Sequence, residues 1–205
     1  MSFDQKARDW DKDPKKVERA KIFAAEIINI LGGADIKSAL ELGSGTGLVS
    51  FQLKERFREI TLADTSGGMT EVLKEKIEAE RLAHFTPLLI TDTTDLLSHP
   101  QTDVVYTLLT LHHIKDLDSA FMVFSKIIRK GGYLFIGDLV PEDGTFHNND
   151  PGFDGHPGFD VEELKTRLAK EGFETLAEKI LLSLTREIGG VTKYYPLFML
   201  ALKKK

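Results

Sequence analysis

Ala39-Leu40-Glu41-Leu42-Gly43-Ser44-Gly45-Thr46-Gly47 runs from an apolar stretch into a turn with glycine at every second position. The apolar stretch reads as a buried strand, and the segment from Gly47 to Phe57 resumes a helical pattern. Glycine belongs in such a turn because the chain must reverse tightly and a ligand must approach bare backbone. The helix N-terminus beyond it offers unpaired N–H groups. Strand, glycine turn and helix in that order imply a nucleotide-like ligand. A dinucleotide fingerprint needs G-x-G-x-x-G or A, but counted from Gly43 the last position is Leu48, so the pattern is G-x-G-x-G. Without a following Gly-Lys-Ser/Thr it is not a phosphate-binding P-loop.

Downstream, short β-branched or apolar runs alternate with helical patterns, which is the signature of βαβ units on a parallel sheet. Strands are expected at Ser38 to Leu42, Glu59 to Ala63, Phe85 to Thr91, Asp103 to Leu109 and Tyr133 to Leu139. Helices are expected from Gly68 to Leu82 and from Asp116 to Arg129, the latter stopped by Gly131-Gly132. About 20 residues past the glycine turn, the second strand ends in Asp64-Thr65. An acidic side chain there can accept hydrogen bonds from both ribose hydroxyls of a ligand lying over the turn. The third strand ends in Thr91-Asp92-Thr93-Thr94-Asp95, where Asp92 is better placed than Asp95 to accept an exocyclic amine.

Upstream, Asp13 caps a helix that Pro14 opens and Gly32-Gly33 closes, with Val17, Ala20, Ala24, Ile27, Ile28 and Leu31 on one face. Phe3 to Trp10 reads as a short helix or lid whose rings need a partner surface. Phe3 is expected in the core, and Trp10 either there or over a ligand. At the other end, Pro141 to Phe159 is rich in Gly, Pro, Asp, Asn and His and lacks an apolar period, so it reads as one long functional loop. Asp160 and Glu163 signal a further helix ending near Gly172. Phe173 to Ile188 and Val191 to Leu202, joined by Gly189-Gly190, read as an antiparallel pair.

The 205 residues suit one domain, with 27 basic and 32 acidic side chains giving a net charge of −5. That balance argues against nucleic acid, whose phosphates want clustered Lys and Arg. Absence of cysteine excludes disulfides, thiolate metal sites and a cysteine nucleophile. Neither a leader pattern nor an apolar run of about 20 residues is present, so a cytoplasmic protein without a membrane span is expected. Lys203, Lys204 and Lys205 are expected to form a solvated tail.

The ordered set Glu41 to Gly47, Asp64, Asp92, Asp103-Val-Val-Tyr-Thr-Leu-Leu-Thr-Leu-His-His-Ile114 and Arg129-Lys-Gly-Gly-Tyr-Leu-Phe-Ile-Gly-Asp138 resembles class I S-adenosylmethionine-dependent methyltransferases. The resemblance covers about residues 36 to 140 and, with the closing helix and strand pair, most of the chain. The opening Phe3-Asp4-x-x-Ala7-x-x-Trp10-Asp11 is similar to the lid of small-molecule methyltransferases related to quinone-biosynthesis enzymes. The resemblance implies an α/β, Rossmann-like doubly wound sheet of seven strands in the order 3-2-1-4-5-7-6, the last strand antiparallel. It implies one methyltransferase domain over 1–205, made of a lid (1–33), a cofactor core (36–140), an acceptor loop (141–159) and a closing helix and strand pair (160–205).

For S-adenosyl-L-methionine, whose product is S-adenosyl-L-homocysteine, the resemblance implies contacts from Glu41, Gly43, Ser44, Gly45, Thr46 and Gly47. Asp64 and Thr65 would serve the ribose, and Asp92, Thr93 and Met69 the adenine. Thr110 and Leu111 would face the methionine end, with Trp10 closing over the cofactor. Methyl transfer asks mainly for alignment and exclusion of water. A hydroxyl or acidic carbon acceptor also gains from a base, for which His113, His156 and His147 are the candidates. The histidines with Asp138, Asp150 and Asp154 supply ligand types for a metal, but no H-x-x-x-H spacing occurs and no metal ligand is assigned. Leu109-Thr110-Leu111 stands where base-methylating relatives carry an Asn or Asp-Pro-Pro-Tyr or Phe tetrad, which favours a small-molecule acceptor over DNA or RNA. Whether the chain acts as a monomer or homodimer is open. The rival reading is a methyltransferase-like module that binds the cofactor without chemistry.

Overall fold

The computed structural model describes residues 2–148 and 152–205. Seven strands form one sheet: β1 (Ser38–Leu42), β2 (Glu59–Asp64), β3 (Phe85–Leu89), β4 (Thr102–Leu108), β5 (Ile128–Leu139), β6 (Phe173–Ile188) and β7 (Val191–Lys204). Their order is β3-β2-β1-β4-β5-β7-β6, as expected. β1 to β5 pair parallel, and β7 runs antiparallel to both β5 and β6. The helices are α1 (Phe3–Lys6), α2 (Pro14–Leu31), α3 (Leu48–Gln52), α4 (Gly67–Glu80), α5 (Leu117–Ile127) and α6 (Val161–Lys170).

Alternation along the strands sorts the core into two layers. Leu40, Leu42, Val105 and Phe198 meet Phe121 and Phe124 of α5 and Leu164 and Leu168 of α6. On the other face, Ala39, Val104, Tyr106 and Met199 meet Phe23 and Ile27 of α2, Val49 of α3 and Leu73 of α4. Strands buried on both faces explain the near-continuous apolar runs. The chain leaves β1 toward β2 and β3 on one side and returns to β4 on the other. That reversal opens a crevice at the carboxyl ends of the strands.

Four expectations are corrected. The helix after the glycine turn stops at Gln52 rather than Phe57. Three-residue turns follow, Leu53 N–H to Ser50 O and Arg56 N–H to Leu53 O, and they tuck Leu53 and Phe57 into the core. Gly131-Gly132 does not stop α5, which ends at Ile127. The pair lies in an irregular stretch of β5, where a Cβ on Gly132 would sit 2.6 Å from the Asp103 carbonyl oxygen. Phe3 is not a core residue: it is 44% exposed and lies edge-on to Trp10 and His113. The basic tail is not merely solvated, because Lys203 and Lys204 continue β7. The Lys204 ammonium donates to Ser125 and to the Glu171 carbonyl, and burial lowers its pKa.

The sheet's outer strands differ in how they end the pairing. β3 carries Pro87 in its centre, and β6 breaks register twice against β7, between Thr175 and Ala177 and between Ile180 and Leu182. Among the described residues no helix is long and apolar enough to cross a membrane.

Candidate active site

Gly43, Gly45 and Gly47 all take the left-handed backbone, with φ of 70°, 53° and 84°. Gly43 is also held by space, since a Cβ there would lie 2.1 Å from Thr110 Oγ1. At Gly45 the nearest atoms to such a Cβ are Met69 Sδ and Trp10 Nε1, both at 3.9 Å, so glycine is needed there for its backbone alone. The amides of Gly43 and Ser44 donate to the Ala63 carbonyl at 2.8 and 3.1 Å, tying the turn to the end of β2.

The next residue on β2 completes the brace. Asp64 Oδ2 accepts from the Gly45 amide at 2.6 Å and Oδ1 from the Ser66 amide at 2.8 Å. Burial raises the Asp64 pKa, and those amides pull it back. Capping of α4 falls to Ser66, whose hydroxyl accepts from the Met69 amide, which leaves Asp64 to the crevice. Beneath the turn, Glu41 is buried and turned away from the crevice, accepting from the hydroxyl and amide of Ser50. Ser50 also bonds Tyr106 Oη at 2.6 Å. Burial pushes the Glu41 pKa up to about 8.

A cavity of about 560 Å³ occupies the crevice. Gly43, Asp64, Thr65, Asp92, Thr93 and Thr110 line it, together with His113. Asp92 Oδ1 also accepts from the Thr94 amide and hydroxyl, which holds the carboxyl below its usual pKa. Asp95 points back to Thr91 and is not part of the lining. Leu111 is in the core, Met69 is buried behind Gly45, and Thr46 bonds Asp11 of the lid. Sequence reading missed Lys115, Asp116 and Ser119, which line the far wall just after β4. Their place at the end of the strand beside β1 was the available signal.

The lid lies over the turn. Asp4 Oδ1 accepts from Ser66 Oγ at 2.5 Å and from the Gly68 amide at 2.8 Å. Arg8 bonds both Glu75 oxygens, and Lys76 joins Asp11 at 2.6 Å. Lys16 Nζ sits 3.5 Å from the centre of the Trp10 ring.

Beyond the cavity, β4 leaves through Leu109, a non-glycine with φ of 53°. That strained residue is anchored by its N–H on the Gly137 carbonyl at 2.7 Å. The turn that follows presents His112 and His113. His112 is buried, and its Nδ1 meets Asp138 Oδ1 at 2.6 Å. His147, from the long loop, has its ring centre 5.0 Å from His112 and 5.3 Å from His113. His156 is not brought to this group. Its amide donates to the His112 carbonyl at 2.8 Å and its Nε2 bonds the Ile114 carbonyl at 2.9 Å. Asp154 pairs with Lys115, and Asp150 lies outside the described residues.

A sheet ordered in this way, with its last strand reversed and a glycine turn after β1, is the Rossmann-like fold of class I methyltransferases. Residues 40–136 match the family model described as a methyltransferase domain. An uncharacterized methyltransferase of Schizosaccharomyces pombe is 33% identical over 120 residues, which cover 55% of this chain and 42% of that one. A ubiquinone biosynthesis O-methyltransferase of Alkalilimnicola ehrlichii is 25% identical over 114 residues, 55% and 46% of the two chains. The chain thus spans less than half the length of the curated relatives it matches. Among solved structures, the Bacillus subtilis YcgJ protein aligns with a TM-score of 0.73 and 13% identity over 89% of this chain and 98% of that one. A Haemonchus contortus phosphoethanolamine N-methyltransferase, in complex with phosphomonomethylethanolamine and S-adenosylhomocysteine, aligns with a TM-score of 0.69 and 16% identity over 88% and 52%.

Proposed function

We propose that this chain binds S-adenosyl-L-methionine in the crevice above β1, β2 and β3 and methylates an oxygen, nitrogen or carbon of a small-molecule acceptor, releasing S-adenosyl-L-homocysteine. The observation that carries the reading is Asp64, a carboxylate fixed by the amides of Gly45 in the glycine turn and of Ser66, and lining a cavity of about 560 Å³. That size falls within the range of small-molecule sites. The residues fit the group. Gly43 and Thr110 offer the wall at the end of β1, Asp64 the acceptor pair for ribose hydroxyls, and Asp92 and Thr93 polar atoms for the adenine edge. When bound, the cofactor supplies an electrophilic methyl group carried on a sulfonium.

The chain's own part is alignment, exclusion of water and handling of the acceptor's proton. Trp10 and Phe3, held over the turn by the Asp4 and Arg8 contacts, cover the site. His113 and His147 are the groups proposed to hold the acceptor's proton, while His156 positions them through the His112 carbonyl. The acceptor side is assigned to the lid and the loop 141–159. Calorimetry with S-adenosylhomocysteine tests the reading. Saturable binding that weakens in Asp64→Ala is expected, and no heat at millimolar ligand would overturn it.

A further inference from the structure

We propose that His112, His113 and His147 form a binding site for one divalent transition-metal ion of the zinc or cobalt kind, at the acceptor end of the cavity. One ring nitrogen of each of the three lies within 4.8 Å of those of the other two. Ligand nitrogens about 2.0–2.1 Å from a tetrahedral ion sit roughly 3.4 Å apart, so small side-chain rotations close the set. The ring centres are 4.2, 5.0 and 5.3 Å apart.

The second argument is the carboxylate behind the cluster. Asp138 is fully buried, and its oxygens meet His112 Nδ1 at 2.6 Å, the His112 amide at 3.3 Å and the Leu139 amide at 2.8 Å. Two backbone amides fix the carboxylate and its shortest contact holds the His112 Nδ1, which leaves the His112 Nε2 to act as ligand. A carboxylate that fixes the far nitrogen of a ligating histidine is the usual support of such sites.

The surroundings agree. Phe153 stacks on His147 at 3.7 Å and meets His113 edge-on, and Phe146 meets His147 edge-on. Three nitrogen donors without a carboxylate select a borderline metal over magnesium or calcium. Three protein ligands also leave a coordination position open, as in catalytic rather than structural sites. The later part of the loop also packs on this turn. A Cβ on Gly155 would lie 2.1 Å from the His112 carbonyl oxygen, and His156 bonds the 112–114 turn twice.

His113 is shared between this cluster and the cavity wall. Resting on the function proposed above, with the metal in place of His113 and His147 as the group that handles the proton, the open position would take the oxygen of a hydroxyl acceptor and let its proton pass to solvent water before the oxygen receives the methyl group, which narrows the acceptor to an alcohol or phenol.

The test uses the full chain, purified without a metal-affinity step, stripped of metal and titrated with cobalt(II) and then zinc(II). One equivalent of cobalt with visible absorption bands, displaced by zinc, is expected. Asp138→Asn should weaken it by about 10–100-fold, His113→Gln and His147→Gln, which remove ligands, should weaken it further, and His99→Gln, at a ring that bonds Thr61 Oγ1 and the Pro100 carbonyl, should leave it unchanged. No saturable cobalt binding to the wild-type protein overturns the site, as does binding indifferent to His113→Gln and His147→Gln. Near-ultraviolet circular dichroism separates lost ligands from lost fold. If a variant unfolds, the wild-type titration still decides. S-adenosylhomocysteine binding, measured on the same samples, separates the two proposals. Metal without that binding overturns the metal's role in methylation, and that binding without metal overturns the site alone.

Discussion

Replacing Gly43 by alanine separates two penalties that the structure assigns to different glycines. At Gly43 the new Cβ meets Thr110 Oγ1 at 2.1 Å, Cγ2 at 2.3 Å and Cβ at 2.7 Å, on a backbone with φ of 70°. At Gly45 the φ is 53°, but nothing lies closer than 3.9 Å. A Cβ in left-handed backbone costs about 1–2 kcal/mol. Overpacking against a braced neighbour adds about 1–3 kcal/mol. Gly45→Ala should therefore lose about 1–2 kcal/mol and Gly43→Ala about 2–5 kcal/mol. With an m-value of about 2 kcal/mol per molar, the urea midpoint falls by roughly 0.5–1 M in the first variant and 1–2.5 M in the second. Thr110→Gly removes all three clashing atoms, so Gly43→Ala in that background should cost no more than Gly45→Ala does alone. Equal midpoints for the two alanine variants, or no such recovery with Thr110→Gly, would refute the claim that Gly43 is set by space as well as by backbone.

Asp64→Ala removes the acceptor of two amide hydrogen bonds, and S-adenosylhomocysteine affinity should fall at least tenfold in calorimetry, given about 1.5–3 kcal/mol for each charge-assisted contact. Glu41 titrates near 8 in the folded chain and near 4.5 in a free one, so the folded state favours the proton. The stability this gives is complete below pH 4.5 and is lost as pH rises to about 8. In Glu41→Gln that part of the decline should vanish from urea midpoints taken across the same window, and an unchanged pH profile would contradict it. Asp4→Ala unclasps the lid from Ser66 and Gly68. Release of S-adenosylhomocysteine, followed by stopped-flow fluorescence of Trp10, should speed up while the thermal midpoint hardly moves.

What the sequence disclosed and what it hid divide along the range of the interaction. A glycine with positive φ and an acid at the end of a strand are local requirements, so the turn at 43–47, Asp64 and Asp92 were legible. Apolar periodicity gave the strands and α5 but not the early end of α3, because Leu53 and Phe57 reach the same core from three-residue turns as they would from a helix. Glu41 reads like a ligand residue from its neighbours, yet its side chain alternates to the buried side and meets Ser50 and Tyr106. The histidines were legible as one neighbourhood, but not that His147 rather than His156 joins His112 and His113, because that choice depends on how the loop after β5 folds back.

The two rims of the sheet have a consequence for how the chain behaves among copies of itself. An edge strand with a continuous row of unpaired N–H and C=O groups is a template for another chain. Here Pro87 brings no N–H to the middle of β3, and two register breaks twist β6 out of the flat geometry that a docking strand requires. Glu174, Glu178, Lys179 and Glu187 add charge along β6. The broad sheet that carries the site is thereby guarded at both ends against runaway strand addition, even though its interior strands are among the most aggregation-prone segments of the sequence.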